Sequence, residues 1–271
     1  MIVFKVLARF FIVVLVYVAA QFAIAVYDRL NFQHKPMGSG LSIAREVLYE
    51  AVVTSFAFLT YIIGFVNYDG VFLRRHGKRY PPVLLVHGYM MNRACYIYMH
   101  IRLALDGFRV FTVNLYPPLR SIAELSECVA DKVDEVDART GEKEVYLIGH
   151  SMGGLVARYY GTSQRGRGRV KGLITIASPH RGTRIAALGI GKNAKEMVPG
   201  SAFLSGLDAK PLPRIYSIWS TLDNLVVPPE HAYSEGIPNL SVPFQGHIAM
   251  LFSNTVYGHT VRLLKGDGPD F

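Results

Sequence analysis

Cysteine is scarce in this chain of 271 residues: there are two, Cys95 and Cys128. Their spacing matches no zinc or cluster pattern, and two buried thiols are the expectation. No other His, Cys, Asp and Glu grouping has ligand spacing, so neither a metal nor another cofactor is expected. Acidic residues are in deficit, 20 against 29 Lys and Arg, leaving a formal net charge of +9. No recognition motif accompanies that charge, so nucleic acid is not an expected partner. The excess is spread along the chain, with 9 basic and 4 acidic residues in positions 1–80 and 20 and 16 in positions 81–271. An anionic membrane surface suits such a balance. Arg165, Arg167, Arg169 and Lys171 alternate with Gly and Val and read as a solvated loop. No internal repeat is visible.

Charge is missing altogether from residues 10–27, and this run is why 51% of the chain is hydrophobic and its mean hydropathy is +0.24. Lys5 and Arg9 precede it. Its length suffices to span a bilayer. A cleaved signal peptide is the competing reading, with Ala23-Ile24-Ala25 as the cleavage site. Residues 1–27 therefore read as a transmembrane or signal-anchor helix. A polar linker with Pro36, Gly38 and Gly40 covers 28–40. Ser42 then caps a second apolar helix, with Arg45, Glu46 and Glu50 as its polar start and 51–66 uncharged. Sixteen such residues are marginal for a span. Residues 28–80 thus hold the linker and a helix that either spans or lies at an interface. Basic residues flank both ends, with Arg74, Arg75, Lys78 and Arg79 on the far side. Two spans would leave both termini in the cytoplasm, and one would put the remainder outside.

The remainder, 81–271, is organised around Val145-Tyr146-Leu147-Ile148-Gly149-His150-Ser151-Met152-Gly153-Gly154-Leu155-Val156. It reads as a buried strand, Gly-x-Ser-x-Gly, and the first turn of a helix. That is a nucleophile elbow, a strained turn with an exposed serine hydroxyl. Gly149 and Gly153 sit where a Cβ would meet neighbouring backbone. The pentapeptide alone arises by chance in roughly one chain of this length in ten, so the context decides. Residues 83–86 are a short apolar run, as in a strand buried on both faces of a parallel sheet. The run ends in His87-Gly88-Tyr89. In the architecture that carries this elbow, the N–H groups of Tyr89 and Met152 would form the oxyanion hole.

Alternating elements follow: a helix over 93–105, a strand over 109–115, a helix opened by the Ser121–Glu124 capping box, and a strand over 170–177. Asp131, Asp134, Glu135 and Asp137 fall on that capped helix's polar face and read as solvated. A helix lies within 193–208, a strand over 214–219, and a last short strand over 240–244. Asp223 stands just past the 214–219 strand, where an acid orients a histidine. His247 lies on the loop before the final helix. The order Ser151, Asp223, His247 is the one this architecture requires. Asp208 is less suited because it lies in a helix–loop segment. His180 precedes the acid and is assigned to the site wall with His87, Gly88 and His150. His231 and His259 read as surface or packing residues.

These motifs together resemble the bacterial lipases and esterases of the α/β-hydrolase superfamily, particularly small members with little or no cap. The matching pieces are Val-His-Gly-Tyr at 86–89, Gly-His-Ser-Met-Gly-Gly at 149–154, Ser-Pro-His-Arg-Gly-Thr at 178–183, Pro-Gly-Ser-x-Phe-Leu at 199–204, the Asp223 loop and Gly-His-Ile at 246–248. They lie within about residues 80–265. The resemblance implies an α/β fold, a mostly parallel central sheet with helices on both faces, behind the N-terminal hydrophobic helices. It implies a catalytic domain over 81–271 and a Ser-Asp-His hydrolase of lipid or acyl esters. The N-terminal hydrophobic segment lies outside the resemblance, and as an anchor it places the protein at a membrane, the bacterial inner membrane. Acyl transfer on the same triad and an inactive membrane adaptor are the alternatives. No large lid is expected; a small mobile segment around 189–199 is compatible with the sequence.

Overall fold

The computed structural model describes residues 2–33, 39–69, 80–208 and 214–266. Six parallel strands form its centre: β1 (Val83–Val86), β2 (Val110–Val113), β3 (Val145–His150), β4 (Val170–Ile176), β5 (Ile215–Ser220) and β6 (Asn239–Val242). Their order across the sheet is β2-β1-β3-β4-β5-β6. The order reverses after β1, so the sheet is wound in both directions and is covered on both faces. The near-continuous apolar strands reflect that double burial.

Successive side chains point to opposite faces. Leu84, Val86, Phe111, Val113 and Leu147 pack on one side against α4 (Ile122–Thr140) and α5 (Met152–Thr162). Val83, Leu85, Val110, Ile148 and Ile174 pack on the other against α3 (Ile97–Leu105) and α8 (Asn254–Lys265). The expected capping box is present at α4: Ser121 Oγ accepts from Glu124 N–H, and Glu124 accepts from Ser121 N–H. The acids of α4 are partly exposed and paired. Arg165 bridges Glu127, Asp131 and Asp134, and Arg169 reaches Asp134 and Asp137. So the basic loop expected to be merely solvated is held on the acidic face. The helix expected over 93–105 begins as a 3-10 turn, Arg93–Tyr96. The one in 193–208 is two, α6 (Lys192–Glu196) and α7 (Ala202–Asp208), with Pro199-Gly200 between them.

The N-terminal segment is helical: α1 (Ile2–Asp28), continued by a π-helical turn over Arg29–Gln33, and α2 (Gly40–Leu59). The linker expected from residue 28 thus begins as helix, and its 34–38 portion lies outside the described residues, as do Arg74, Arg75, Lys78 and Arg79. The second helix also starts earlier than expected, because Ser39 rather than Ser42 is its cap, accepting from Ser42 N–H. Among the described residues one helix, Val3–Phe32, is long and apolar enough to cross a membrane, as an anchor or a signal sequence would be.

Both helices pack on the sheet domain. Val14, Val18, Phe22 and Ala25 of α1 and Ala51 of α2 enclose Leu222 and Val227. Val53 and Ala57 of α2 pack on Ile248 and Ala249. Polar contacts fix both ends of this layer. Arg29 donates to Thr221 O (3.0 Å), and Arg184 pairs with Asp28. Past α2, Asn92 donates to Tyr61 O (2.7 Å) and Tyr68 to Arg93 O (2.7 Å). Asp69 is buried, accepts from Thr112 N–H and Oγ1–H, and meets Lys132 of α4 at 2.6 Å.

Both helices bury polar residues beside these apolar contacts and leave large apolar residues exposed on the opposite side. On α2, Glu46, Glu50, Thr54 and Ser55 are buried while Leu48, Val52, Phe56 and Leu59 are exposed. On α1, Gln21 and Asp28 are buried while Ile12, Val13, Val16 and Ile24 are exposed.

Candidate active site

Ser151 ends β3 and caps α5 with φ 55° and ψ −130°, a conformation that side-chain-bearing residues rarely adopt. The glycines permit it. A Cβ on Gly149 would come within 2.5 Å of Gly154 Cα, and one on Gly153 would overlap the Val86 carbonyl oxygen. Ser151 N–H donates to Ile176 O (2.8 Å) and pins the turn to β4.

Asp223 follows β5. Its carboxylate accepts from Leu225 N–H and Val226 N–H, both at 2.8 Å, and from His247 Nδ1–H at 2.9 Å for each oxygen. Burial works against a charged His247 ring. The adjacent Asp223 carboxylate and its hydrogen bond, with Glu50 farther off, work for it, and the net shift is upward.

The structure brings Ser151 and His247 to one cavity of about 450 Å³, within the usual range for small-molecule sites. Gly88 and His150 line it with them. A Cβ on Gly88 would lie 2.9 Å from Ser151 Cβ, so the backbone after β1 passes against the serine. Tyr89 follows directly and lines the cavity. Met152 is the first residue of α5, where N–H groups have no intrahelical acceptor. Its side chain faces the core rather than the cavity.

His87 and His180 are fully buried behind the wall rather than in it. His87 Nδ1–H donates to Gly88 O (2.9 Å), and its Nε2 accepts from Leu115 N–H (2.9 Å). His180 Nε2–H donates to Thr175 Oγ1 (2.9 Å), whose own hydroxyl serves Tyr216 O. Burial lowers His87 to about 4 and His180 to about 3, so both are neutral supports. His231 is half-buried against Gly182 O, and His259 lies on α8 beside Arg262.

The rest of the cavity is mostly apolar. Tyr89, Met90 and Leu225 line it, whereas Leu222 packs under α1. The 189–199 segment is tied down: Tyr89 Oη bridges Ile190 O and N–H, and buried Asn193 donates to Pro118 O. Leu188, Ile190 and Met90 stand exposed at the mouth.

Sequence reasoning missed the contribution of the two N-terminal helices. Tyr17, Gln21 and Ile24 of α1 and Glu50, Thr54 and Phe58 of α2 line the same cavity. Glu46 and Glu50, taken as the polar start of α2, are buried. The signal was their four-residue spacing, which continues through Thr54, one helical face of polar and small residues. Periodicity names such a face but not what it meets.

A doubly wound parallel sheet, a serine elbow between strand and helix, and a histidine and acid on later loops are features of the α/β-hydrolase fold. Residues 81–208 match the family described as "alpha/beta hydrolase fold". Over 113 residues the chain is 35% identical to a triacylglycerol lipase of Pseudarthrobacter phenanthrenivorans (39% of this chain, 35% of that one). It is equally identical over 113 residues to one of Burkholderia plantarii (39% and 31%). It spans about a third of the length of these curated relatives. In fold it is similar to the mature lipase BlEst2 of Bacillus licheniformis, with a TM-score of 0.63, 16% identity, and 70% of this chain and 94% of that one covered. The chain thus has the α/β-hydrolase fold, and the proteins it resembles are lipases and esterases.

Proposed function

We propose that this protein is a membrane-associated serine hydrolase that cleaves carboxylic esters of lipids. The observation that carries the reading is Ser151 and His247 on one largely apolar cavity, with Asp223 bound to His247 Nδ1 behind them. In this mechanism Ser151 Oγ attacks the ester carbonyl carbon while His247 Nε2 takes its proton. The Tyr89 and Met152 N–H groups receive the oxyanion. Collapse breaks the bond to the alkoxy oxygen, and imidazolium returns the proton to the departing alcohol. A water deprotonated by His247 then cleaves the acyl-serine.

The names of the curated relatives, triacylglycerol lipases, support an ester substrate. The exposed apolar faces of α1 and α2, with the buried glutamates of α2, support the membrane. A helix that shows water its Leu, Val and Phe residues and hides its glutamates is suited to a lipid surround, and exposed apolar patches of this extent mark interaction sites. The apolar mouth at Met90, Leu188 and Ile190 supports a substrate that arrives from that phase. In this reading the N-terminal helices and the sheet domain work as one unit.

The test is fluorophosphonate labelling of the detergent-solubilised protein beside Ser151→Ala, with p-nitrophenyl esters of graded chain length. Wild type is expected to label and turn over. Ser151→Ala is expected to lose labelling and about 10,000-fold or more in kcat. Equal turnover by the two would overturn the assignment.

A further inference from the structure

The three residues 247–249 offer the domain interior four backbone polar groups, and side chains from other elements hold all four. His247 O accepts from His150 Nε2–H (3.0 Å). His247 N–H donates to Asn224 Oδ1 (2.9 Å). The N–H groups of Ile248 and Ala249 donate to the two oxygens of Glu50, each at 2.7 Å. Asn224 in turn donates to Gln21 Oε1 at 2.7 Å. Two of the holders, Glu50 and Asn224 with Gln21 behind it, thus depend on the N-terminal helices.

Glu50 is about 1% exposed. A buried carboxylate is costly unless its oxygens are satisfied. Here two charge-assisted bonds satisfy them, and both go to the residues directly after the histidine. The approach is close enough to exclude any side chain at Gly246, where a Cβ would overlap the Glu50 carboxylate. The loop before the histidine is therefore shaped to receive this residue. Both ends of the segment bearing α2 are anchored by unrelated contacts, so a side-chain carboxylate here has a fixed address.

We propose that Glu50 of α2 is a positioning residue for His247, clamping the histidine loop through Ile248 N–H and Ala249 N–H. Gln21 of α1 assists through Asn224. The hydrophobic N-terminal helices are then part of the catalytic apparatus as well as a membrane attachment. The proposal rests on the serine-hydrolase reading. Glu50 acts through geometry and, in its ionised form, which burial confines to pH above about 7, through its charge, which favours the imidazolium that forms as Ser151 attacks. The titratable groups facing it are His247 and Asp223 on the domain loops and His150 at the end of β3, with Glu46 and Tyr49 on its own helix.

The experiment uses the full chain in detergent, comparing wild type, Glu50→Gln and Glu50→Asp by kcat, KM, pH profile, fluorophosphonate labelling rate and Tm. Gln keeps one acceptor but turns an NH2 group toward the other N–H, and it removes the charge. We expect kcat to fall by about 10- to 100-fold with KM changed less than about twofold. The acid limb of kcat/KM should move to lower pH, since the carboxylate that favours protonated His247 is gone. Asp keeps the charge and loses reach, so kcat should fall with a smaller movement of the limb. A folded Glu50→Gln with wild-type kcat and an unmoved limb overturns the proposal. So does failure of both variants to fold, which would make Glu50 a stability residue. Wild type that neither labels nor hydrolyses any ester overturns the serine-hydrolase reading, and this proposal with it.

Discussion

At the residue scale the site depends on three side chains held by backbone that tolerates little change. Asp223 Oδ1 also accepts from Leu225 and Val226 N–H, and these two bonds hold the carboxylate against the ring. Asp223→Asn would keep the shape but present an amide where His247 Nδ1–H needs an acceptor, favouring the wrong tautomer. The expected outcome is a fall in kcat of about 10,000-fold at neutral pH. The pH dependence has a definite sign. His247 is raised above the ordinary histidine value, and only its neutral form is a base. Activity should therefore be lost as pH falls through a value above about 6.5. Removing the Asp223 charge lowers that value. A kcat/KM profile of wild type with its acid limb well below pH 6.5 would contradict this account.

At the element scale α2 carries two messages on opposite faces. Its inner face was legible as a spacing of Glu46, Glu50 and Thr54, yet the sequence reads equally as the polar start of an apolar helix. Only the packing separates the two, because Val53 and Ala57 meet Ile248 and Ala249 and bring Glu50 onto the histidine loop. The outer face makes no comparable demand on folding. Leu48, Val52 and Leu59 are exposed, so replacing all three by Gln should leave Tm within a few degrees. The same change should weaken sedimentation with anionic phospholipid vesicles more than tenfold, since each such side chain contributes about 1.5–3 kcal/mol when fully removed from water. Unchanged vesicle binding would assign the attachment elsewhere, to α1 alone or to the basic charge.

At the scale of the whole molecule, four histidines are buried in neutral form, three of them at or just past the carboxyl ends of β1, β3 and β4 and the fourth, His100, in α3. Burial pulls His87 and His100 to about 4, His180 to about 3, and His150 well below the ordinary value. Below pH 6.5 the unfolded chain takes up protons that these sites refuse, so stability falls as pH falls. Each contributes a slope of about 1.4 kcal/mol per pH unit until its folded value is reached. Glu50, pushed up to about 7 by burial against its two backbone hydrogen bonds, acts in the opposite sense between pH 7 and its unfolded value near 4.5. It offsets one histidine of the four. Denaturation in detergent at pH 7, 6 and 5 is expected to show a steady loss, and a flat profile would mean that the buried rings are charged or hydrated.

The strand runs, the serine elbow, the capping box and the chain order of serine, acid and histidine are local patterns. Each follows from the conformations and burial that a few adjacent residues permit, and so the sheet and the candidate site are legible in the sequence alone. Glu50, Gln21 and Asn224 are not, because their meaning lies in contacts spanning up to about 200 residues of chain. A buried carboxylate and a solvated one have the same letter. Which of them a position holds is decided by what the fold brings opposite, here two N–H groups beside a histidine, and that is a property of the packed molecule alone.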